Sequence, residues 1–315
     1  MDLSKHDPQI TRVLVMGGTG NYGREIVRHL SRLPVTTRVL TRNPEHARQQ
    51  LPDEVEIFSG DILDPASLYA GLEDVQSVVV AISAFTPGLI RQLYAIEHDA
   101  MLRLFAILTE NKIARLVYLS VYDIRLDVLR ELGIKMEVAR VKHAVEKALG
   151  ATGLNWTIFG APPSFDLFLR TWRGKLLIAP GGGPPAMPSV SKRDVGAILS
   201  QAALRTDLQG KRIRVPGPQA MSFPLAAEIF AGITGEPIAV RKIPLAGMKV
   251  GAFFTRPFFP YLHHLVDSVC LMRHFPQDLV ADIERDHQWL LDHFQYTPCS
   301  LEEEARQARA DQREP

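Results

Sequence analysis

The residues best placed to do chemistry lie near the N-terminus, in Gly17-Gly18-Thr19-Gly20-Asn21-Tyr22-Gly23. Glycines at 17, 20 and 23 stand between an apolar run, Arg12–Met16, and a stretch with helical apolar spacing, Arg24–Leu33. In that setting the first glycine permits a tight turn and the second lets the backbone touch a pyrophosphate. The third allows close packing of helix on strand. The helix N-terminus adds free N–H groups and the positive end of its dipole, which suit phosphate. A strand before and a helix after separate this triplet from glycine spacings that arise by chance in loops.

The end of the second strand normally selects the dinucleotide, through an acid for ribose hydroxyls or an arginine for a 2′-phosphate. Here it reads Thr41-Arg42-Asn43-Pro44. No carboxylate repels a phosphate there, and Arg42 can bind one in bidentate fashion while stacking on adenine. NADP(H) is therefore expected in preference to NAD(H). Gly60-Asp61 follows the third strand, and Asp61 either reads the adenine edge or caps the next helix. The candidate cofactor contacts are Gly17, Thr19, Gly20, Asn21, Tyr22, Gly23, Arg42, Asp61, its neighbour Ile62, and Ala81 beyond the fourth strand.

These positions need a parallel sheet to hold them. Thr37–Thr41, Val55–Phe58, Ser77–Ile82, Leu116–Leu119 and Trp156–Phe159 read as further strands. Helical stretches alternate with them: one begins at Asp64-Pro65, and others span Leu93–Asn111 and Val138–Leu149. The alternation predicts an α/β fold, a doubly wound parallel Rossmann sheet over residues 10–162. Past Pro162 a smaller mixed α/β lobe is expected over 163–300, interleaved with the core. It holds a helix at Ser191–Leu204, a strand at Arg212–Val215, a helix at Ser222–Gly235 and a strand at Ile238–Ile243. Residues 301–315 alternate charge without an apolar stripe and are expected to fray. Phe253–Leu265 is dense in aromatics, which fits a pocket wall, a subunit interface or a membrane-surface contact. The usual burial of aromatics favours packing.

Several function classes fall away. Lys and Arg total 36 against 35 Asp and Glu, so no broad basic face favours nucleic acid. Cys270 and Cys299 are too few for a disulfide framework or a zinc site and suit a reducing cytoplasm. No metal is expected, because the histidines, including His263-His264, lack ligand spacing. Gly160-Ala161-Pro162-Pro163-Ser164 lacks the second glycine of a hydrolase elbow. Met1–Thr11 is polar and has no secretory pattern, and no apolar run approaches a transmembrane span.

The glycine turn, Arg38–Arg42, Gly60-Asp61 and the phrases Lys142-His143-Ala144-Val145-Glu146 and Gly153–Ile158 together resemble the NmrA-like group of atypical short-chain dehydrogenase/reductases. The resemblance covers roughly residues 12 to 245 and takes in Ser191–Val195. It implies a Rossmann core whose C-terminal lobe closes a cleft over the nicotinamide, and either a reductase or a redox sensor.

Ordinary short-chain reductases use a Tyr-x-x-x-Lys pair, the lysine lowering the tyrosine pKa and holding the ribose. Val138 occupies the tyrosine position here, so the usual acid is missing. By likeness to isoflavone-reductase-like enzymes, Lys142 would contact cofactor and polarise or protonate a substrate. The competing reading is a surface lysine paired with Glu146 one turn later. Ser120 and Tyr122, just beyond the fifth strand, are further catalytic candidates, though loop hydroxyls commonly satisfy local backbone. The leading expectation is an NADPH-dependent reductase of a small apolar or aromatic acceptor. The alternative is a non-catalytic NADP(H) sensor acting on a protein partner. Isomerase or epimerase work on the same fold has no residue here that selects it.

Overall fold

Strands whose every residue is apolar must be covered on both faces, and the chain supplies several. The structure, a computed structural model, describes residues 5–255 and 258–311. Parts of three sequence readings, at residues 1–4, 256–257 and 312–315, lie outside the described residues. Six strands, β1 (Arg12–Met16), β2 (Thr36–Thr41), β3 (Glu56–Ser59), β4 (Ser77–Val80), β5 (Arg115–Val121) and β6 (Trp156–Ala161), form a parallel sheet with a seventh, Lys211–Arg214. Their order is β3-β2-β1-β4-β5-β6 followed by Lys211–Arg214. The direction of winding reverses between β1 and β4, and open sheets bind ligands at such a point.

Alternate side chains of a strand face opposite ways. Val13 and Val15 of β1 join Ile26, Val27 and Leu30 of the helix Asn21–Leu30 and Val195, Ile198 and Leu199 of the helix Lys192–Ala202. Leu14 and Met16 pack on the opposite face with Leu68, Met101, Leu104, Val145 and Leu149. Those come from the helices Pro65–Gly71, Ala100–Glu110 and Glu137–Gly150. Asp64 caps the first of these, accepting from the N–H groups of Ala66 and Ser67. The stretch expected as one helix from Leu93 instead passes through a π-helical turn at Ala95–Asp99.

Three expectations are corrected. The Lys211–Arg214 strand, placed by its sequence with the second lobe, pairs in parallel with β6. Arg212 fixes it, donating to the carbonyls of Val121 and Tyr122 and pairing with Glu146 at 2.8 Å. The helix Lys192–Ala202 likewise covers the main sheet. A Cβ on Gly196 would lie 2.6 Å from Glu25 Cβ, so only glycine allows this crossing. The tail expected to fray is a helix at Leu301–Asp311. Ser300 and Glu303 form a capping box, each side chain accepting from the other's backbone N–H. Leu301 and Ala305 bury in the apolar cluster of Phe168, Phe223 and Phe230, and Ser191 Oγ donates to Glu304 Oε1 at 2.5 Å.

The small lobe is built on that cluster, with the helix Phe223–Thr234 beside the strands Trp172–Arg173, Leu176–Ala179 and Ala239–Lys242. Trp172 stacks on Phe230 with ring centroids 4.1 Å apart.

Candidate functional site

The turn after β1 has the shape its glycines require. Gly17 has φ +84°, and a Cβ on it would lie 2.6 Å from the Ala81 carbonyl oxygen. A Cβ on Gly23 would lie 2.0 Å from the Gly17 carbonyl oxygen, so the first helical turn sits directly on the loop. The Gly20 N–H closes the turn by donating to Gly17 O at 2.9 Å. The absent side chains leave an open cradle in front of the helix N-terminus, which is what a diphosphate needs.

A cleft of about 370 Å³ opens there, at the carboxyl ends of β1, β2 and β4. Gly17, Thr19, Gly20, Arg42, Asp61, Ile62 and Ala81 line it, which brings together most of the residues singled out for cofactor. Arg42 stands exposed at the rim, engaged in no hydrogen bond or ion pair with a described residue. Asn43 Oδ1 accepts from the His46 N–H and so caps the helix Pro44–Arg48, which carries His46 to the same rim. Asp61 accepts from the Leu63 N–H at 2.9 Å, while capping of the next helix falls to Asp64.

The other candidates lie elsewhere. Asn21, Tyr22 and Gly23 belong to the first helical turn and do not line the cleft. Tyr22 turns its hydroxyl to the Pro162 carbonyl at 3.0 Å, and burial pushes its phenol above the usual range. Ser120 and Tyr122 are buried at the end of β5, away from the cleft lining, and neither hydroxyl finds a partner among the described residues. The Tyr122 pKa is raised by burial, against an opposing pull from the Arg214 guanidinium.

Lys142 is buried and lies one layer behind the cleft wall. Its ammonium pairs with Glu97 Oε2 at 2.9 Å and donates to Tyr118 OH at 3.2 Å and to the Ile82 carbonyl at 3.4 Å. Burial works to lower the Lys142 pKa, but Tyr118 and Glu97 together outweigh it and hold it above the ordinary lysine range. Glu146, the partner weighed from spacing, is engaged by Arg212 instead.

Glu97 was missed by sequence reasoning. It is 1% exposed and sits in the π-helical turn, where it also accepts from the Ala84 N–H and the Ser83 hydroxyl. Its one legible signal is an acid inside an otherwise apolar helical stripe, Leu93 to Leu108. Ile82 and Ser83 line the cleft, so the Glu97–Lys142 pair holds two cleft residues from behind. Val138 packs with Ala84, Ile90, Leu93, Ile96 and Val141, and Tyr261 of the C-terminal half lies against Phe85 with ring centroids 5.3 Å apart. The wall beside the cleft is thus apolar where a tyrosine acid would otherwise stand.

Sheet order, glycine cradle and crevice define a nucleotide-binding Rossmann protein. Residues 17–206 match the family described as NAD(P)H-binding, and the chain belongs to that family. An NAD(P)H azoreductase from Xenophilus azovorans is 24% identical over 243 residues, which is 75% of this chain and 79% of that protein. A photosystem II assembly factor, Ycf39, from Synechocystis is 25% identical over 265 residues, covering 82% of this chain and 78% of that one.

Among solved structures, the quinone oxidoreductase QOR2 of Escherichia coli complexed with NADPH is similar with a TM-score of 0.73. It is 16% identical, over 94% of this chain and 99% of that one. The triphenylmethane reductase of Citrobacter sp. complexed with NADP(H) gives a TM-score of 0.69 at 18% identity, over 94% and 99%. The Rossmann core expected from the sequence is shared with these structures, and the family match bears out the expectation of NAD(P)H binding.

Proposed function

We propose that this chain is an NADPH-dependent reductase of a small apolar or aromatic acceptor. The observation that carries the reading is the cleft itself, a glycine cradle with Arg42 at its rim and an apolar wall around Val138 and Ile96. In the proposed complex Gly17, Thr19 and Gly20 hold the diphosphate and Arg42 takes the 2′-phosphate. Asp61 and Ile62 flank the adenine, and Ala81 supports the nicotinamide side. A bound nicotinamide supplies hydride to the acceptor. Lys142 is a positioning residue in this reading, because an ammonium paired with Glu97 and held above the usual lysine range is a poor acid at neutral pH. The proton that follows hydride then comes from water, and acceptors that need no strong acid fit best: quinones, azo compounds and cationic dyes. The C-terminal lobe, from 163 onward, supplies the outer wall of the acceptor site through Tyr261. The buried free thiols Cys270 and Cys299 accord with the reducing cytoplasm where NADPH is maintained.

The test is loss of NADPH absorbance with a panel of quinones, azo dyes and triphenylmethane dyes, and turnover of at least one class is expected. The sensor reading has its own support in Val138 at the acid position and in a relative described as an assembly factor. Tight NADPH binding with no turnover of any acceptor, together with unequal affinities for NADP⁺ and NADPH, would decide for the sensor.

A further inference from the structure

Two aromatic groups of the small lobe meet water differently. Of the stretch expected to pack, Tyr261 does so on Phe85, while Phe253, Phe254, Phe258 and Phe259 stand exposed. Phe168, Phe223 and Phe230 are buried, in a cluster that Leu301 and Ala305 of the C-terminal helix complete. That helix, Leu301–Asp311, adds the Arg309 guanidinium over the Trp172 ring. Its remaining hold is a polar seam where it meets the first turn of the helix Lys192–Ala202.

The seam holds two buried carboxyls, Asp194 and Glu304, that no cation of the seam neutralises. Glu304 Oε1 accepts from the Ser191 hydroxyl, and the Asp194 carboxyl accepts from the Cys299 N–H at 3.1 Å. Lys192 turns instead to Asp166, at 2.9 Å, and Arg193 is exposed. The other ionisable groups facing the two acids are Glu303, Cys299, Tyr296 and Tyr22, none of them a cation. Burial is the main cause that raises both carboxyls above their ordinary values, Asp194 to about 7, and the Glu304 charge adds to the shift of Asp194. Such a group keeps its proton while buried and gives it up once in water. Lifting the helix would hydrate both acids, so docking takes up protons that lifting sets free.

On its far side the seam backs the glycine turn. Tyr22, in the first helical turn after it, donates to the Pro162 carbonyl, and the Glu304 charge bears on its phenol. Ser164, two residues beyond Pro162, bridges to Val190, the neighbour of Ser191.

We propose that the helix Leu301–Asp311 is a proton-controlled strap behind the cofactor turn, docked while Asp194 or Glu304 carries a proton, loosened once both are ionised, and tightened again by a bound dinucleotide. The device rests on the cofactor binding of the family and needs no turnover of an acceptor. Asp194 sets the window. Below its ordinary value of 3.8 the docked and lifted states both carry the proton, and between 3.8 and about 7 only the docked state does. Lifting therefore gains up to about tenfold per pH unit in that range and levels off above it.

Hydrogen exchange of the full-length protein tests this, with peptides covering 301–311 read as protection factors corrected for the intrinsic pH dependence of exchange. From pH 5.5 to pH 8 the wild type loses at least about tenfold of its protection there, while peptides from β1 and β4 lose less than about threefold. Asp194→Asn/Glu304→Gln keeps an oxygen for the Cys299 N–H and for the Ser191 hydroxyl but removes both titrations. Its protection at 301–311 changes less than about twofold over the same range. Saturating NADPH at pH 8, with binding titrated on the same sample, raises wild-type protection of 301–311 at least about threefold. Equal wild-type protection at both pH values, a loss of the same size in β1 and β4, or a loss that persists in the double variant overturns the proton control. Bound NADPH that leaves 301–311 unchanged overturns the link to the cofactor turn, whereas no NADPH binding in the titration would refute the cofactor assignment itself.

Discussion

Replacing Glu97 by Gln tests the role given to the pair behind the cleft. Gln keeps the side-chain volume and can still accept from the Ala84 N–H, so the main loss is the charge facing Lys142. The two side chains are 1% and 6% exposed, so water does little to screen what remains. Breaking a buried pair from one side costs about 3–5 kcal/mol, because it strands an uncompensated charge. Lys142 keeps the Tyr118 hydroxyl and the Ile82 carbonyl, which places the expected loss near about 3 kcal/mol.

The pH dependence carries a sign. In the wild type the folded-state pKa of Lys142 lies above its ordinary value of 10.5. Its stabilising contribution is therefore complete below that value and lost only as pH rises through the higher folded one. In E97Q burial dominates and lowers the folded pKa, so the folded state releases the proton first and stability climbs with pH. Urea unfolding at several pH values from 7 to 10 reads both effects: a lower midpoint at neutral pH, and a gap to wild type that narrows toward alkaline pH. Adding Lys142→Met to E97Q should recover most of the loss. A loss under about 1 kcal/mol at pH 7, or a gap that widens with pH, would refute the account of this pair.

Arg42→Ala should weaken NADPH binding by about 2 kcal/mol and leave NADH nearly unchanged, as titration of both would show; equal losses would mean that the guanidinium reads something other than the 2′-phosphate. Gly23→Ala places a methyl on the Gly17 carbonyl and should abolish cofactor binding even where the protein still folds, so a dissociation constant within about twofold of wild type would contradict the cradle. Asp194, 3% exposed, has its pKa pushed up to about 7 by burial, against the Cys299 N–H that it accepts. A carboxyl raised in the fold contributes fully only below its ordinary value of 3.8 and loses that contribution as pH rises through the folded value, so Asp194→Asn should gain more in unfolding temperature over wild type at pH 8 than at pH 5. Equal shifts at both pH values would exclude titration of Asp194 as the cause.

What could be read from the residues was what depends on local pattern. Val13–Met16 and Val78–Val80 are apolar throughout because both sides of the sheet are covered, and the spacing of Gly17, Gly20 and Gly23 encodes its own turn. The cleft followed from these, since Arg42, Asp61 and Ala81 sit at strand ends whose order the alternation of elements sets. What pairs with Lys142 did not follow. Glu97 lies on a different helix, and only the adjacency of β4 and β5 brings the two together. The Lys211–Arg214 strand shows one inward apolar residue, Ile213, too little to tell an edge of the main sheet from a strand of the lobe. The tail helix was half legible: Ser300 and Glu303 spell its cap, but Leu301 and Ala305 are a short apolar stripe whose partner, Phe223, is remote in sequence. Exposure of Phe253 and its neighbours is set by tertiary placement, so composition could not decide their role.

The late arrival of one sheet cover has a consequence for synthesis. Arg115, fully buried on β5, donates from its guanidinium to the Ala202 carbonyl, and Ser77 on β4 donates to the Ala203 carbonyl. Until the helix Lys192–Ala202 leaves the ribosome, its side of the first strands is covered by Asn21–Leu30 alone, and the Arg115 Nε lacks the Ala202 carbonyl. Contacts between segments so far apart in sequence form slowly, so the emerging polypeptide passes through an interval in which chaperones, rather than its own packing, keep it from sticking to its neighbours.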